Sequence, residues 1–192
     1  MINKTSFYTS EELANIGFKS YGDNVLISRY AQFYHPERIS LGSNVRIDDY
    51  CILSAGSQIT IGSYIHIACY TFILGEGRVE IEDFCSISGR VSIYSSSDDY
   101  MGLAMTNPMV PSKYTRVQSL PVILRKHVII GCGSIILPGV ELGQGASIGA
   151  MSLVKENCEP ETIYTGNPLQ IVGKRIQRYH KLEAKFLETI NK

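Results

Sequence analysis

Large apolar residues recur along this chain at intervals that define its architecture. One series lies 20 residues apart, at Tyr21, Leu41, Ile61 and Ile81. Further large apolar residues follow each of these after six and after twelve positions, and from Leu124 to Val154 the interval is six throughout. A period of six fits neither the 3.6-residue repeat of a helix nor the alternation of a two-faced sheet. It predicts a coil of three short strands joined by tight bends.

A second column of smaller or β-branched residues follows four positions behind the large one. It consists of Val25, Ala31, Val45, Cys51, Ser57, Ile65, Thr71, Cys85, Val91, Val128, Ser134, Val140, Ala146, Ser152 and Cys158. Both columns are expected to point into the coil. The three cysteines in this column are therefore interpreted as core residues rather than as reactive thiols.

The repeated hexad resembles the hexapeptide-repeat family over residues 21–94 and 122–158. The resemblance implies an all-β fold, a left-handed parallel β-helix of about six coils. The left hand comes from the family, since parallel crossovers are normally right-handed. A single domain is expected, with an N-terminal cap helix at 1–20, coils at 21–94 and 122–158, an inserted loop at 95–121, and a tail with a C-terminal helix at 159–192.

Both ends of the chain carry helical signals. Thr9 and Glu12 form a T-x-x-E capping box before a short helix, and Gly17 is suited to close it. After Gly173, apolar residues recur at helical spacing, at Ile176, Tyr179, Leu182, Phe186 and Leu187. The N-terminal helix is expected to cover the open end of the coil, because terminal repeats need a cap.

Composition and charge exclude several classes of protein. The chain carries 18 basic and 18 acidic side chains, so nothing favours nucleic acid as a partner. No apolar run approaches the roughly 20 residues of a membrane helix, and the N-terminus lacks the pattern of a signal peptide. Five cysteines without a CxxC motif indicate reduced thiols. A cytoplasmic protein without membrane insertion is therefore expected.

The hexad pattern breaks between residues 94 and 121, and this break is the most informative segment of the chain. Its serine, aspartate, asparagine, glycine and proline residues indicate a loop. A loop of this length in a compact domain is usually functional or disordered, and its tyrosine, methionine and leucine content argues against disorder. A scaffold without catalytic function would not need such an interruption. We therefore expect the loop to form part of an active site.

A metal-dependent hydratase would also fit a coil of this kind, but it needs three histidines that converge on one zinc ion. The four histidines, His35, His66, His127 and His180, are widely spaced along the chain. The expectation is an enzyme without a metal.

Residues 120–175, which include HVIIGCGSIILPGVELGQGASIGA and TGNPLQIVGK, are similar to the CoA-dependent acyltransferases of the hexapeptide-repeat family. That resemblance implies acetyl-CoA, or another short-chain acyl-CoA, as the co-substrate. It places Gly131, Gly149 and Ala150 along the pantetheine arm, Lys155 and Lys174 near phosphates, and Pro168 near the adenine. The glycines would also serve as the bends that any coil requires, and Lys155 would also fit a solvated face.

Four further segments narrow the resemblance to enzymes that N-acylate dTDP-linked amino sugars such as dTDP-4-amino-4,6-dideoxyglucose. These are T-S-E-E-L-x-x-I-G-F-K-S, V-R-I-D-D-Y-C-I-L-S, Y-x-x-S-D-D-Y and K-H-V-I-I-G. The implied pathway is the synthesis of surface polysaccharide, with the dTDP-amino sugar as acceptor. The alternatives are O-acetyl transfer to a sugar or antibiotic hydroxyl, and a non-catalytic trimeric scaffold.

The loop contains two acids and no histidine, which bears on the acceptor. A hydroxyl acceptor calls for a general base with a pKa near 7, usually histidine. An amine needs mainly orientation and a partner for developing positive charge. Asp98 is predicted to hold the attacking amine and Asp99 to fix the loop, although turn acids also cap backbone N–H groups. Ser88 and His66 are further candidates for the site, or else ordinary surface residues.

Three further expectations concern the assembly, His127 and the nucleotide pocket. Outward apolar residues such as Ile129 and Ile135 predict a homotrimer, because cyclic symmetry buries such faces. His127, like His66, is expected to face outward, as a solvated, interface or substrate-contacting histidine. The nucleotide pocket is not assigned; candidates for base stacking and for the pyrophosphate are Tyr64, Tyr70, Tyr94, Tyr100, Arg46 and Arg90.

Overall fold

A computed structural model describes residues 6–190, and in it the chain winds into a parallel β-helix with three faces. The first face contains β1 (Leu26–Ile27), β4 (Val45–Ile47), β7 (Ile65–Ile67), β10 (Ser86–Ile87), β15 (Ile129–Ile130), β18 (Ser147–Ile148), β20 (Thr162–Thr165) and β21 (Gln170–Lys174). The second face contains β2 (Gln32–Tyr34), β5 (Ile52–Ala55), β8 (Phe72–Gly75), β11 (Ser92–Tyr94), β16 (Ile135–Ile136) and β19 (Leu153–Val154). The third face contains β3 (Ile39–Leu41), β6 (Ile59–Ile61), β9 (Val79–Ile81), β14 (Val122–Leu124) and β17 (Glu141–Leu142).

The remaining elements lie outside the three faces. They are α1 (Ser10–Ala14), α2 (Arg178–Ile190), two 3-10 turns (Pro36–Arg38 and Ser112–Tyr114), and the antiparallel pair β12 (Ser96–Ser97) and β13 (Gln118–Ser119). We name the corners by the faces they join: corner 1–2, corner 2–3 and corner 3–1. No helix between residues 6 and 190 is long and apolar enough to cross a membrane.

The predicted β-helix is confirmed, and the first face shows its extent. Seven of its eight strands run parallel, one more than the six coils expected, because Thr162–Thr165 pairs in parallel with Ser147–Ile148. Parallel pairing thus continues beyond residue 158. The eighth strand, Gln170–Lys174, turns back antiparallel on β20. This reversal ends the coil and delays the C-terminal helix, which begins at Arg178 rather than directly after Gly173.

The two apolar columns form the core as the hexad pattern predicts. Residues such as Ile67, Ile87 and Leu124 are fully buried, and so are the small residues behind them. Ser57 is an exception, since it is exposed and Ala55 points inward instead. The repeat is two residues longer at this corner, so β5 extends through Ala55 and Ser57 lies on the bend. Tyr21 is 40% exposed, because it precedes the first strand of the coil.

The cysteines of the small column behave as core residues. Cys51, Cys85 and Cys158 are buried. Burial raises the pKa of the Cys51 thiol to about 11 and the pKa values of Cys85 and Cys158 to about 12. These thiols stay protonated at neutral pH, which makes them poor nucleophiles.

Both helices are tied to the coil by specific contacts. The capping box of α1 forms as predicted, with reciprocal hydrogen bonds between Thr9 and Glu12. Arg29 also binds the Glu12 carboxylate through two hydrogen bonds of 2.6 and 2.5 Å. These bonds, together with one from the Thr9 backbone, lower the pKa of Glu12 to about 2. Helix α2 packs over corner 3–1, where Phe186 meets the rings of Tyr64 and Phe84 edge-on.

Candidate functional site

The loop at residues 95–121 leaves the coil at corner 2–3, between β11 and β14. Its base is closed by the antiparallel pair β12 and β13, in which Ser96 lies opposite Ser119. A second bridge, between Met105 and Thr115, holds the outer part of the loop together. The loop therefore has a defined structure that its own backbone hydrogen bonds stabilise.

The carboxylate of Asp99 holds the first turn of this loop. It accepts hydrogen bonds from the backbone N–H groups of Met101 at 2.9 Å and Ala104 at 2.7 Å. The bond from Met101 is the largest of the effects that lower the pKa of Asp99. These contacts are those of a residue that shapes the loop.

Asp98 is exposed, and its surroundings differ from those of its neighbour. Within residues 6–190 its carboxylate has no hydrogen-bonding or ion-pairing partner. It lines a groove of about 530 Å³ together with Arg116 and Gln118. It also lines a smaller groove of about 240 Å³ on which Glu76 and Asn107 lie. Within the described residues, Asp98 therefore presents a carboxylate without a partner to two open grooves.

A row of small residues follows corner 1–2, on the side of the coil where the first face ends. The backbone N–H of Ser88 donates to the Ile130 carbonyl oxygen at 3.0 Å, that of Gly131 to Ile148 at 2.7 Å, and that of Gly149 to Tyr164 at 2.7 Å. Ser88, Gly131 and Gly149 thus occupy equivalent places on successive turns. We name this set the corner row.

Each residue of the corner row is followed by a residue whose backbone N–H has no acceptor within residues 6–190. Among the described residues none accepts a hydrogen bond from the N–H groups of Gly89, Cys132 or Ala150, each of which follows a member of the row. A Cβ atom on Gly131 would lie 2.4 Å from the backbone nitrogen of Ala150, so a side chain does not fit there. The glycine thus lets successive turns pack closely, and the corner carries three N–H groups without an acceptor among the described residues. Sequence reasoning named Ala150 but missed Gly89 and Cys132, since a main-chain donor leaves no signature in residue type.

The other residues predicted to bind acyl-CoA lie at two separate locations in the structure. Lys155 and Pro168 line one cavity of about 440 Å³, together with Tyr164 and Leu169. Lys174 is not among its lining residues; it lies on β21 and donates to the Thr162 hydroxyl at 2.6 Å.

His66 is exposed on the first face and bound to an acid. Its Nε2 lies 2.8 Å from a carboxylate oxygen of Asp48, and the Nε of Arg46 lies 2.7 Å from the other. Burial alone would raise the pKa of Asp48, but the hydrogen bonds from His66 and Arg46 outweigh it and lower that pKa. His66 does not line either groove beside Asp98.

His127 is not a solvated histidine. It is only 8% exposed, because α2 covers corner 3–1. Its ring stacks on Phe84 with centroids 5.1 Å apart, and its Nε2 lies 2.7 Å from a carboxylate oxygen of Glu183. The ring lies at the corner, outside the core of the coil, but the solvated alternative is wrong. The helix that covers His127 lies more than 50 residues further along the chain, where local spacing gives no sign of it.

Corner 3–1 also brings together two histidines that are distant in sequence. Potential ligand atoms of His127, His180 and Glu183 lie within 4.8 Å of one another. Each has a protein partner, since Lys126 binds Glu183 at 2.6 Å and Glu161 binds His180 at 2.9 Å. This cluster fastens α2 and lies on a different corner from Ser88 and from the loop.

The chain has a near full-length relative among characterised enzymes. It is 53% identical over 176 residues to the dTDP-4-amino-4,6-dideoxy-D-glucose acyltransferase of Escherichia coli, an alignment that covers 91% of this chain and 92% of the relative. The chain belongs to this acyltransferase family. No protein-family model matches the sequence.

Solved structures support membership of the acyltransferase family. AntD, an N-acyltransferase from Bacillus cereus, was solved in complex with dTDP and 3-hydroxybutyryl-CoA; it superposes with a TM-score of 0.94 and 48% identity over 98% of this chain and all of its own. A variant of AntD, in complex with dTDP-4-amino-4,6-dideoxyglucose and coenzyme A, superposes with a TM-score of 0.93 and 48% identity over 97% of this chain.

Proposed function

We propose that this protein transfers an acyl group from acyl-CoA to the amino group of a dTDP-linked 4-amino-4,6-dideoxy sugar. The observation that carries the proposal is the 53% identity to the Escherichia coli enzyme across 91% of the chain. We assign acetyl-CoA or another short-chain acyl-CoA as donor. The pathway we propose is surface-polysaccharide synthesis in the cytoplasm.

The chemistry of the loop fits an amine acceptor. Residues 95–121 contain no histidine, so the loop supplies no general base of the kind a hydroxyl needs. The neutral amine attacks the thioester carbonyl, the C–N bond forms, and the C–S bond breaks. The unpaired carboxylate of Asp98 accepts a hydrogen bond from the amine and stabilises the positive charge that develops on nitrogen. The departing thiolate takes up the proton that the nitrogen loses.

The spacing of two residues supports a joint role for Ser88 and Asp98. AntD was solved as variants at one serine and at one aspartate, and these two positions are ten residues apart in that chain. Ser88 and Asp98 are also ten residues apart. Ser88 has its backbone fixed by Ile130, and its side chain is partly exposed at the corner row. We assign it to the acceptor side of the site.

The corner row supplies what an acyl-CoA arm needs. Unpaired N–H groups at Gly89, Cys132 and Ala150 provide donors for the pantetheine amides and for the oxygen of the tetrahedral intermediate. The cavity that contains Lys155 and Pro168 lies at the C-terminal end of the coil, where the nucleotide end of CoA would lie. Lys174, which binds Thr162, stays a weaker candidate for a phosphate contact.

We further propose a homotrimer with its sites between subunits. The loop exposes Tyr100, Met101 and Met109 at 91%, 83% and 91%, which is more apolar surface than an isolated loop usually presents. Ile129 and Ile135 are also exposed on neighbouring faces. The corner row and Asp98 lie on different corners of one chain, so a cyclic assembly is needed to bring them together.

The acceptor decides between N-acyl and O-acyl transfer. The test is an acceptor screen with acetyl-CoA and with 3-hydroxybutyryl-CoA that follows release of free thiol. We expect turnover with dTDP-4-amino-4,6-dideoxyglucose and none with maltose or chloramphenicol as alcohol acceptors. Turnover with an alcohol but not with the amino sugar would overturn the proposal.

A further inference from the structure

A column of buried side chains lies directly behind the corner row, inside the coil. Each of its members precedes a strand of the second face, and those strands pair in register, so the members occupy equivalent places on successive turns. All are at most 2% exposed. We name this set the inner column; it consists of Cys51, Thr71, Val91, Ser134 and Ser152. All of them except Val91 carry a hydroxyl or a thiol, and buried groups of this kind need a hydrogen-bond partner.

The hydroxyl groups of the inner column bind carbonyl oxygens of the corner row. Thr71 Oγ1 donates to the carbonyl oxygen of Ser88 at 3.2 Å. Ser134 Oγ and Ser152 Oγ both donate to the carbonyl oxygen of Gly149, at 3.0 and 2.7 Å. These two carbonyl groups are therefore held toward the inside of the coil.

The direction of a carbonyl group fixes the direction of the N–H group in the same peptide. In a planar trans peptide the C=O and N–H bonds point to opposite sides. Because the Ser88 carbonyl points inward to Thr71, the N–H of Gly89 points outward, and the same holds for Gly149 and Ala150. This explains why the N–H groups of Gly89 and Ala150 have no acceptor within residues 6–190. The buried hydroxyls thus orient main-chain donors toward the outside of corner 1–2.

Gly89 is the donor nearest to the acceptor side of the site. It follows Ser88, which the proposed function places beside the acceptor. Cys132 and Ala150 lie one and two turns further toward the C-terminal end of the coil, at about 5 and 10 Å. The thioester carbonyl has to meet the acceptor amine, so the Gly89 N–H is the donor for its oxygen. The other two N–H groups are left for the pantetheine arm.

We infer that Thr71 is a positioning residue for acyl transfer. Its hydroxyl holds the Ser88 carbonyl inward, and this keeps the Gly89 N–H directed at the oxygen that becomes negative in the tetrahedral intermediate. A donor that is oriented before the reaction needs no reorganisation when the charge develops. Thr71 is fully buried, so it acts through the peptide rather than by contact with a substrate. The inference rests on the proposed function, because it assigns the Gly89 N–H to the thioester.

The test removes the hydroxyl and keeps the packing. Thr71→Val preserves the size and the branching of the side chain, and Thr71→Ser preserves the hydroxyl. Val91 is fully buried at the equivalent place on the next turn, so the inner column accepts valine. Cys51→Ala is the matched control. It removes a buried donor that binds the carbonyl oxygen of Ala68 at 3.2 Å, one turn before Ser88.

Steady-state kinetics on the full-length protein separate orientation from binding. We expect kcat of Thr71→Val to fall about tenfold with KM for acyl-CoA unchanged, because the contact with the oxygen strengthens in the transition state. Thr71→Ser should keep at least about half of the parental kcat, since it retains the donor. Cys51→Ala should keep the parental kcat. Thermal melts on the same samples show whether kcat follows stability instead.

A second measurement follows the thioester carbonyl itself and needs no turnover. Acetyl-CoA labelled with carbon-13 at this carbonyl is bound to the protein without an acceptor, and infrared difference spectra give its stretching frequency. A hydrogen bond from the Gly89 N–H polarises the C=O bond and lowers the frequency in the parent. The lowering should be smaller in Thr71→Val and parental in Thr71→Ser and Cys51→Ala.

Several results would overturn the role of Thr71. One is a parental kcat together with a parental carbonyl frequency in Thr71→Val. Another is an equal loss of kcat in Cys51→Ala, because the effect would then follow the loss of any buried donor at this corner. A third is a parent in which the bound thioester shows no lowered frequency.

The proposed function fails by a different result. If the parent transfers no acyl group to the amino sugar, but the bound thioester frequency is lowered in the parent and less so in Thr71→Val, the role of Thr71 stands and the assigned acceptor is wrong. If the parent transfers the acyl group normally and Thr71→Val does so with the same kcat and carbonyl frequency, the reaction stands and the role of Thr71 is wrong.

Discussion

Ser88 and Asp98 are ten residues apart in sequence but lie at different corners of the β-helix. Ser88 ends β10 at corner 1–2, Asp98 begins the loop at corner 2–3, and strand β11 (Ser92–Tyr94) runs between them. The grooves beside Asp98 are not lined by Ser88 or by Gly131. Under the proposed function, one chain would therefore carry two incomplete halves of a site. Each half would be completed by the other half of a neighbouring copy.

A shared site predicts complementation between two inactive proteins. Ser88→Ala removes one half and Asp98→Asn the other, so a homotrimer of either variant should be impaired. When the two are co-expressed with different tags and purified as mixed trimers, some interfaces combine an intact Ser88 with an intact Asp98. For random assembly about one quarter of the interfaces do so, and turnover should recover to about that fraction of the parental value.

The control for this experiment is the double variant, mixed with itself, which cannot regain an intact interface. Absence of any recovery in mixed trimers would show that both residues act within one chain. Light scattering on the parent provides an independent check, since a monomer at micromolar concentration would rule out the shared site altogether.

The two neighbouring acids should respond differently to the loss of charge. Asp98→Asn keeps the shape of the side chain but removes the charge that stabilises the attacking nitrogen. One contact of this kind is worth about 3 kcal/mol, so turnover should fall on the order of a hundredfold. Asp98 has no partner within residues 6–190, so Tm should barely change. Steady-state kinetics and thermal melts on the same samples make the measurement.

Asp99→Asn is the matched comparison. It weakens the hydrogen bonds to Met101 and Ala104, so the loop should become more sensitive to proteolysis while turnover falls less. Parental turnover in Asp98→Asn would identify Asp98 as an ordinary loop residue. Equal loss of stability in both variants would show that the two acids hold the loop in place. The catalytic role would then be assigned to Ser88 or His66 instead.

Chelation should leave turnover intact. The potential ligands His127, His180 and Glu183 each bind other side chains, and they lie on corner 3–1, away from Ser88 and Asp98. Activity is measured before and after prolonged dialysis against EDTA. Loss of activity that added zinc restores would reopen the metal-dependent hydratase as an alternative.

The contacts of Glu183 predict a pH-dependent attachment of α2. Burial would raise the pKa of its carboxyl, but Lys126 and His127 outweigh that effect and hold it below the ordinary value of 4.5. A depressed carboxyl pKa contributes stability that is present above pH 4.5 and is lost as the pH falls through the folded-state pKa. Glu183→Gln should lower Tm by about 2–6 °C at pH 7, with a difference that shrinks below pH 4.

Glu188→Gln is the matched control for this variant, because Glu188 lies on the same helix but is exposed and takes no part in the cluster. It should melt like the parent. Hydrogen exchange of residues 178–190 gives a local measurement, and faster exchange in Glu183→Gln is expected there. A Tm gap that persists unchanged at pH 3 would contradict the assignment to the carboxylate charge.

The coil was predictable because its information is periodic. Each face of every turn places one large and one small residue in the core. Ile67, Ile87 and Ile130 can therefore be recognised as core residues from their spacing alone. In the small column, only Ser57 was wrongly predicted to be buried. It lies where the repeat is two residues longer, so the six-residue period does not predict which residue points inward. The loop was recognised because it interrupts the same period.

The candidate site was only partly predictable, for two physical reasons. Unpaired N–H groups at Gly89 and Cys132 belong to the main chain and depend on corner geometry rather than on residue type. The burial of His127 depends on a helix that begins at Arg178, and local spacing carries no information about such long-range packing. Asp98 was predicted from its residue type in the loop and Ser88 from its place after the inward Ile87, and both stay predictions. Their separation onto two corners required the structure.

Because every turn adds a step of about 4.8 Å, corner 1–2 sets the distance between Ser88 and any group that a substrate would contact on another turn. Gly149 lies two turns from Ser88 toward the C-terminal end of the coil, and Asp48 lies two turns from it toward the N-terminal end. Deleting a whole turn would preserve the pairing of the remaining strands. It would, however, move the contacts of one substrate by one turn, about 4.8 Å, relative to the reacting atoms. We expect that substrate length, more than folding, fixes how many turns this chain keeps on each side of Ser88.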